Sequence, residues 1–500
     1  MEDRPARMTD ESREPPLPDS IPVFLDKKCS LQTAMPVVHE KKCPPRKLPQ
    51  YIASLAATIG ALAVGLVVGW SSPAGAHGIN LKDYPFTIER NEFSWITSVF
   101  NLGAAVICVP AGILADLIGR RRTMLMLVVP YTIGWACVIW PNCVATLIFG
   151  RFVLGASSGS FIVIVPMYTA EIADRETRGR LGSYFELLYC TGILSAYTLG
   201  LFDNMFVLSL ISATVPIIFF VIFLFMPESP TYHLMRNNVD AARKTLTWLR
   251  GSHYDVETEL AEEIEGQTKV VKNGEEISFF AAIRSRAAIR GLVIGYGLMF
   301  FQQFSGITAI ISYAGAILTH GDGDGVVWPT IVVGVMQTSA VFLGSLVVDK
   351  WGRRPLLMTS GTAMCFTTMV LGLYFYLDAN EDSMGEYRWL PLASVCGFVV
   401  FSSFGFGPIP VMMASELFSP QIKGVAMSGT MLFNRLAAFV VTKCYLDVTA
   451  AVGSFGAFWI FSIICAISVV FVALVVPETK GKTLEQIQIE LNRREDSDKR

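Results

Sequence analysis

Twelve apolar runs of about 20 residues follow one another along this chain, and each is long enough to cross a lipid bilayer as a helix. Apolar residues make up 52% of the 500 residues and charged residues only 16%, a composition unlike that of soluble chains. The sequence therefore predicts an all-α integral membrane protein. The predicted spans are 51–70, 94–114, 124–140, 145–166, 181–201, 205–226, 290–318, 327–348, 356–376, 390–414, 426–446 and 454–476.

Three sequence signatures occur twice, once in each half of the chain and in the same order. The first joins an aspartate to a Gly-Arg-Arg triplet, the second places a glutamate eight residues before a glycine, and the third is a Pro-Glu pair. A bundle written twice and joined by a linker is how many transporters build a site that opens to either side of a membrane. The paired segments are 116–121 and 349–354, 166–179 and 410–424, and 227–230 and 477–480.

Lysine and arginine are concentrated in alternate loops between the predicted spans. Since such loops stay on the cytoplasmic side, we expect a multi-pass protein with both termini in the cytoplasm. The proline-rich start has no apolar stretch of signal-peptide length, which predicts a disordered tail. The predicted segments are a cytoplasmic tail over 1–49, six-helix halves over 50–230 and 289–477, a linker of short amphipathic helices over 231–288, and a cytoplasmic tail over 478–500.

Both copies of the Gly-Arg-Arg signature place an acid beside arginines at the predicted cytoplasmic mouth. The arginines alone would satisfy the positive-inside rule. The acid suggests more, because a carboxylate can pair with the arginines or with neighbouring helix ends. We predict a cytoplasmic gate that ties this side shut when the cavity faces outward. Its members are Asp116, Arg120, Arg121, Arg151, Glu171, Arg178, Glu228, Asp349, Arg353, Arg354, Glu416, Lys423 and Glu478.

A run of glycines and prolines, Gly405-Phe406-Gly407-Pro408-Ile409-Pro410, interrupts the tenth predicted span. Two prolines and two glycines break the backbone hydrogen-bond ladder at the depth of the membrane. Such breaks are tolerated where they line a cavity or bend a moving helix. We therefore predict a cavity or a hinge at this position.

The sequence offers little support for an enzyme. Lys480-Gly481-Lys482-Thr483 ends like a nucleotide-binding P-loop, but Val476 stands where that motif requires glycine, and no strand precedes it. No nucleophile and base occur in a recognisable pattern. We therefore expect no enzymatic activity, cofactor or metal site, and no nucleic-acid partner.

Several longer strings together resemble one family. The chain is similar to the sugar porters of the major facilitator superfamily over nearly all of residues 50–486, and most similar to insect facilitated trehalose transporters. The resemblance implies a twelve-helix major facilitator fold in two six-helix halves, which would move trehalose or a hexose across the plasma membrane by alternating access, and we expect a monomer. The strings are GILADLIGRRR, GRFVLGASSG, PMYTAEIADRETRG, PESP, QQFSGI, VDKWGRRP, GFGPIP and PETKGKTLEQI.

The resemblance also implies a substrate site. In the family, the QQxSGI segment presents amides to sugar hydroxyls, which here means Gln302 and Gln303. An amide both donates and accepts hydrogen bonds, as a polyol requires. The residues alone leave hydrogen bonding between helices equally open. Asn434 and Gln337 are further candidate contacts that the resemblance implies.

This chain departs from the family at four cavity positions. Thr308 replaces an asparagine, Val411 and Arg435 replace aromatic residues, and Glu186 replaces a glutamine. Since a buried pair of charges is less costly than a single one, we hypothesise an ion pair between Glu186 and Arg435. Alternatively, Arg435 binds an anionic substrate, or the two charges lie apart in water.

The energy coupling is predicted from the end of the first span. Proton-coupled relatives carry an aspartate shortly after the Gly-aromatic pair, whereas Gly69-Trp70 is followed here by Ser71 and Ser72. This favours facilitated diffusion, although Glu186 is an intramembrane acid that could titrate. Two alternatives to sugar transport stay open: a non-transporting sugar sensor on the same fold, and a facilitator of a non-sugar, anionic solute.

Overall fold

A computed structural model of the protein gives the course of most of the chain. Within the described ranges it is helical, with turns and short connections and no β-strand, and these ranges belong to one compact unit, Cys43–Arg500. The predicted N-terminal tail, apart from its last five residues, and the end of the C-terminal tail lie outside them. The described residues are 45–76, 84–174, 176–202, 204–275, 285–319, 328–380, 387–419, 422–482, 486–487 and 489–490, without the side chains of 266–275 and 347–350.

The first half contains six long apolar helices and one short one. A capping box between Glu89 and Glu92 begins the third helix, and the Asn204 side chain accepts from the N–H of Val207 at the start of the seventh. The helices are α1 (Leu48–Gly69), α2 (Ser71–Ala76), α3 (Arg90–Ile118), α4 (Arg120–Ile139), α5 (Val144–Ile172), α6 (Arg178–Leu199) and α7 (Met205–Phe223), with a 3₁₀ turn at Gly200–Phe202.

Close packing in this half depends on small residues. Gly65 of α1 and Gly192 of α6 face each other so closely that a Cβ on Gly65 would lie 2.1 Å from the Tyr189 carbonyl oxygen. A Cβ on Gly192 would lie 2.3 Å from the Leu62 carbonyl oxygen. In a membrane, helices associate by this kind of backbone approach because burial from water supplies no driving force between them.

Three helices follow in the stretch predicted as the linker: α8 (Pro230–Met235), α9 (Val239–Arg250) and α10 (Val256–Glu275). Ala242, Leu246 and Leu249 bury one face of α9, while Lys244 and Trp248 are exposed on another. This is the arrangement of an amphipathic helix lying on a surface.

The second half repeats the plan with more interruptions. Gly306, with a φ of +92°, separates its first two helices, and the Gly-Pro run separates two others. The helices are α11 (Arg286–Phe304), α12 (Ile307–Ser312), α13 (Ala314–Leu318), α14 (Trp328–Trp351), α15 (Arg353–Asn380), α16 (Leu390–Phe404), α17 (Ile409–Leu417) and α18 (Lys423–Leu474).

The described residues contain eleven helical stretches long and apolar enough to cross a membrane, and the last of these holds two spans. A straight helix of the 52 residues of α18 would measure about 78 Å, far more than a bilayer core of about 30 Å. Gly453 breaks it, with φ +77° and ψ +163°, and the rings of Tyr445 and Phe461 then lie 6.3 Å apart. The chain therefore reverses at Gly453, and the prediction of twelve spans is confirmed.

The interruption predicted in the tenth span is confirmed between α16 and α17. The Ser360 hydroxyl donates to the Phe401 carbonyl oxygen (2.8 Å) and accepts from the Phe406 N–H (3.3 Å). The Gln302 amide group donates to the carbonyl oxygens of Phe406 (2.7 Å) and Gly407 (2.8 Å). Side chains of other helices thus satisfy backbone groups that the break leaves without helical partners, as a low-dielectric surrounding requires.

Arg250 joins the linker to the first half. Its guanidinium donates to the Ile172 carbonyl oxygen at the end of α5 (2.8 Å) and forms an ion pair with Glu259 of α10 (2.8 Å). Only 3% of Arg250 is exposed, so this is a buried connection rather than a solvated pair. Truncating it would leave Glu259 and the carbonyl without their donor, which is costly in a buried place.

Glu263 lies one turn after Glu259, and its Oε2 is buried without a hydrogen-bond partner among the described residues. Burial, and next the negative charge of Glu259, raise the pKa of Glu263 to about 7. Glu171 of α5 raises this pKa further, whereas Arg250 of α9 and Arg178 of α6 lower it. The carboxyl group is therefore poised to ionise near neutral pH.

We predict that the packing of α10 against α9 weakens as the pH rises. A raised pKa in the packed state means that the stabilisation is complete below the ordinary value of 4.5 and is lost towards about 7. Hydrogen–deuterium exchange of residues 256–265, corrected for the intrinsic rate, should accelerate more between pH 5.5 and pH 8 in the wild type than in Glu263→Gln. Glu262→Gln, at an exposed neighbour, should keep the pH dependence; its loss in both variants would contradict the assignment.

We also predict that Gly453→Ala destabilises the protein by about 1–3 kcal/mol, since its backbone conformation is nearly exclusive to glycine and a Cβ would lie 2.7 Å from the Phe455 ring. Gly424→Ala is the control, because Gly424 is helical and a Cβ there would meet nothing within 4 Å. The apparent unfolding temperature in detergent should fall only in Gly453→Ala. Equal unfolding temperatures for the two variants would refute the reversal at Gly453.

Candidate functional site

Four of the predicted substrate contacts form one hydrogen-bonded cluster, which we call the amide cluster: Gln302, Gln303, Thr308 and Asn434. The Asn434 amide donates to Gln302 Oε1 (2.7 Å), and the Gln303 amide donates to Asn434 Oδ1 (3.2 Å). The Thr308 hydroxyl donates to Gln303 Oε1 (2.5 Å). Residues from α11, α12 and α18 therefore meet at one place within the second half.

The amide cluster is satisfied by the protein itself in this conformation. Gln302 uses its amide hydrogens on the carbonyl oxygens of the α16–α17 break, and only 6% of Gln303 and 3% of Asn434 are exposed. The cluster thus braces helices together. A polyol would have to exchange its own hydroxyls for some of these bonds, which an amide permits because it donates and accepts in either pairing.

Gln337 of α14 differs from the amide cluster. It is buried, and its Oε1 has no hydrogen-bond partner in the part of the chain that the structure describes. One turn earlier, a Cβ on Gly334 would lie 3.0 Å from Leu194 Cδ1 of α6, so α14 borders the first half here. An unpaired buried acceptor costs about 1–3 kcal/mol, and a hydroxyl donor of a ligand would remove that cost.

Glu186 and Arg435 belong to opposite halves, and the predicted ion pair between them is not formed in this conformation. Among the described residues, neither side chain has an ion pair or hydrogen bond, although Arg435 is near enough to act electrostatically on Glu186, Tyr189 and Cys108. Glu186 is exposed although it lies within a span, and Arg435 is half-buried. Val411, the remaining predicted contact, is also exposed.

The helix bundle has two ends, which carry different residues. The motif side is the end that carries Gly119 and Gly352, where α3 meets α4 and α14 meets α15; the far side is the opposite end, where α3 begins at Arg90. Glu186 lies two turns, and Arg435 three turns, from the motif-side ends of α6 and α18.

On the motif side, the charges of the first half pair with one another. Arg120 is 3% exposed and lies 2.8 Å from Asp116 Oδ1 and 2.9 Å from Glu171 Oε1. The other oxygen of Glu171 accepts from the Ser229 hydroxyl. Glu228 accepts from the backbone N–H of Arg121 (2.9 Å) and so satisfies the start of α4.

The second half repeats this network. Arg353 lies 3.3 Å from Glu416, and Glu478 accepts from the backbone N–H groups of Arg353 and Arg354 (both 3.0 Å) at the start of α15. Burial alone would raise the pKa of Glu478, but the N–H donors of Lys480, Arg353 and Arg354 outweigh it and hold the pKa below its usual value. The Pro-Glu signature therefore caps the helix that the Gly-Arg-Arg signature begins, in both halves.

Two other predicted gate residues, Arg178 and Lys423, join neither network among the described residues. Arg178 and Lys423 are exposed at the starts of α6 and α18, and the described ion pairs of the two glutamates are made with Arg120 and Arg353 instead. The side chain of Asp349 lies outside the described residues.

The assignment of Arg151 to the motif-side gate is wrong. Its guanidinium donates to the carbonyl oxygens of Val67 (2.7 Å) and Ile96 (3.2 Å) and to the Ser71 hydroxyl (2.9 Å). The indole ring of Trp70 lies 5.0 Å from it. Arg151 is in the second turn of α5, which begins on the far side, so it lies at the opposite end of the helix from Glu171.

The far side carries direct contacts between the halves. Arg90 donates to the Leu446 carbonyl oxygen (2.7 Å) and to Thr449 (2.9 Å), and Lys443 donates to Asn91 (2.8 Å). The Ser94 hydroxyl donates to the Lys443 carbonyl oxygen (2.7 Å). We call these contacts the far-side gate.

Two more hydrogen bonds join the halves near the far side. The Gly315 N–H donates to the Ser72 hydroxyl (2.9 Å), and the Tyr197 hydroxyl donates to the Ile311 carbonyl oxygen (2.8 Å). Sequence reasoning assigned no such role to Arg90, Lys443 or Tyr197, because a bond to a distant backbone carbonyl or to a distant amide side chain leaves no pattern in one sequence. The halves are thus tied together at one end, while the ion pairs described above at the other end join partners within one half.

Comparison with known proteins places this architecture in a family. Residues 53–491 match the profile of the family "Sugar (and other) transporter". The facilitated trehalose transporter Tret1 of Drosophila yakuba is 37% identical over 441 residues, which are 88% of this chain and 51% of that protein. This chain therefore spans about half the length of that relative. The facilitated trehalose transporter Tret1-2 homolog of Drosophila sechellia is 35% identical over 440 residues, which are 88% of this chain and 90% of that protein.

Among solved structures, the partially occluded inward open conformation of the xylose transporter XylE from E. coli is similar to this fold. The TM-score is 0.73 at 22% sequence identity, over 87% of this chain and 99% of that one. XylE is a protein of the major facilitator superfamily, so the predicted twelve-helix major facilitator fold is confirmed. The two Drosophila relatives are transporters rather than enzymes, in agreement with the expectation from the sequence. The chain belongs to the Sugar (and other) transporter family.

Proposed function

We propose that this protein moves a sugar, trehalose or a hexose, across the plasma membrane by facilitated diffusion. The observation that carries the proposal is the one-sided contact between the halves: cross-half hydrogen bonds lie on the far side, whereas the charge networks of the motif side lie within each half. Two rigid halves tied at one end are what alternating access around a central site requires. The similarity to facilitated trehalose transporters supports the choice of solute.

The orientation follows from the positive-inside rule. Arginines of the Gly-Arg-Arg signatures make the motif side basic, so we place the motif side and both termini in the cytoplasm. The conformation described here then opens inward. The protein acts as a monomer in this proposal, since each chain carries both halves of the site.

The transport cycle would exchange the far-side gate for contacts on the motif side. A typical hydrogen bond contributes about 0.5–1.5 kcal/mol net, so a few bonds of the far-side gate can be offset by a bound substrate and new contacts. The latch that the sequence predicts on the motif side belongs to the outward-facing form and stays a prediction. In that form Glu186 and Arg435 would approach each other, because both lie nearer the motif side.

The surroundings of Arg151 support uniport rather than proton coupling. Its described partners are the Ser71 hydroxyl and two backbone carbonyl oxygens, and none of these groups gains or loses a proton near neutral pH. A carboxylate at position 71 would supply a titratable partner. We therefore propose that transport by this protein does not depend on protons because position 71 carries a serine and not a carboxylate.

An anionic solute is the second candidate. Arg435 faces the first half without an ion pair or hydrogen bond among the described residues, and an arginine in that state suits a carboxylate or phosphate of a ligand. Loss of the aromatic residue at this position also removes a stacking surface for a sugar ring.

Counterflow in proteoliposomes tests the substrate. We expect exchange of labelled trehalose or a hexose, and Gln337→Leu should raise KM about tenfold, since one hydrogen bond to a buried acceptor is lost. Thr338→Val is the matched control, because the Thr338 hydroxyl donates to Gly334 of its own helix. Exchange of organic anions but no sugars would favour the second candidate, and no flux of any solute would indicate a non-transporting sensor.

Ser71→Asp tests the coupling. Uptake by the wild type should be indifferent to an imposed proton gradient, whereas Ser71→Asp should make uptake pH-dependent by giving Arg151 an ionisable partner. Ser71→Asn, which is similar in shape but neutral, should behave as the wild type. Wild-type uptake that rises with the gradient, and loses that response in Glu186→Gln, would overturn the assignment of uniport.

A further inference from the structure

A groove of about 570 Å³ lies outside the central site, between the start of α1 and the linker helix α9. Leu48, Pro49 and Ile52 line it from α1, and Lys244 and Trp248 line it from α9. It lies on the motif side, because α1 begins there. Neither the family nor the transport cycle proposed above assigns it a role.

The apolar wall of the groove continues along the outside of α1. Leu48, Ile52 and Leu55 are exposed and share one face of the helix at the spacing i, i+4, i+7. Leu48 is 70% exposed, so its side chain has little contact with the interior of the protein. Trp248 is exposed beside them, at the level where the first span emerges. Tryptophan favours that level in membranes, since its ring suits the headgroup region.

Two cations mark the other end of the groove. Arg46 and Lys244 are exposed, and among the described residues neither side chain has an ion-pair partner. Their sequence neighbours differ: Lys47 pairs with Glu176 (2.8 Å), and Arg243 pairs with Glu257 (2.5 Å). Of these four cations, only the two that line the groove have no ion-pair partner among the described residues.

Arg46 is held at the groove by its backbone and its stem. Its N–H donates to the Arg250 carbonyl oxygen (2.8 Å), and its side chain lies against Gly251, where a Cβ would come within 2.9 Å of Arg46 Cδ. Gly251 has a φ of +93°, which favours glycine, and its lack of a side chain leaves room for Arg46 beside the turn after α9. The charged group is thus presented by a fixed part of the fold.

We propose that the groove binds an anionic phospholipid of the motif-side leaflet. The phosphate and acidic headgroup would lie between Arg46 and Lys244, and an acyl chain would follow Leu48, Ile52 and Leu55 into the bilayer. A lipid suits the groove better than a peptide, because its apolar wall is continuous with the lipid-facing surface of the first span. Since α1 and α9 supply opposite walls, the bound lipid fastens the linker to the first half.

Binding to the purified full-length protein tests this proposal. Native mass spectrometry should show tighter binding of phosphatidylserine than of phosphatidylcholine with the same acyl chains. Lys244→Gln should weaken phosphatidylserine about fivefold, and Arg46→Gln with Lys244→Gln about 25-fold, given the usual contribution of each cation near an anionic surface. The matched control is Lys47→Gln with Arg243→Gln, which removes equal charge next to the groove and should retain the preference.

The outcomes separate the sources of binding. Equal losses in the double variant and its control would reduce the effect to general surface charge and overturn the proposal, as would equal binding of the two lipids by the wild type. Glycerophosphoserine, which has the headgroup but no acyl chains, should not compete at the lipid concentration; competition would mean a headgroup site without the apolar wall. We expect Lys244→Gln to fold as the wild type does, because the Lys244 side chain has no ion-pair partner among the described residues. A weaker binding of phosphatidylserine by this variant would therefore report on the groove itself.

Discussion

A membrane offers no water to backbone groups, and this constraint accounts for three polar side chains inside the bundle, Gln302, Ser360 and Arg151. Helices satisfy their own N–H and C=O groups, but the fold is interrupted between α16 and α17. Gln302 and Ser360 take over as partners there. Arg151 likewise donates to carbonyl oxygens at the far-side ends of α1 and α3. Gln302, which the sequence predicts as a ligand contact, is therefore also a structural partner of the backbone.

The bonds of Gln302 to the backbone affect how a substrate could bind to it. Gln302 cannot turn to a sugar without releasing the carbonyl oxygens of Phe406 and Gly407. Binding at the amide cluster would thus alter the support of the broken helix, and α17 leads directly to Glu416 and the motif-side network. In the proposed function, a substrate contact at Gln302 would be linked to the motif side through the short helix α17. Gln337, whose acceptor is unpaired, can bind without that cost.

Much of the fold could be predicted because each span carries its own evidence. Length and apolar composition located twelve spans, and the Gly-Pro run located the break. The amide cluster followed from the family resemblance. Arg151 was misplaced because a buried arginine bonded to carbonyl groups leaves no partner in the sequence. The far-side gate was missed since two of its four acceptors are backbone oxygens, which every residue has, and the other two are the side chains of Thr449 and Asn91 in distant segments.

The two halves keep separate charge networks, and this separation determines what can move. Glu228 and Glu478 each cap a helix of their own half, so these bonds survive a rotation of one half against the other. The bonds that a rotation strains are those between opposite halves, namely the far-side gate and the bonds of Gly315 with Ser72 and of Tyr197 with Ile311. The duplicated signatures therefore maintain rigid modules, and the unduplicated contacts of Arg90 and Lys443 set which end is closed. In the proposed motif-side closure, Glu186 and Arg435 are available besides the charges of the predicted latch, because neither has an ion pair or hydrogen bond among the described residues.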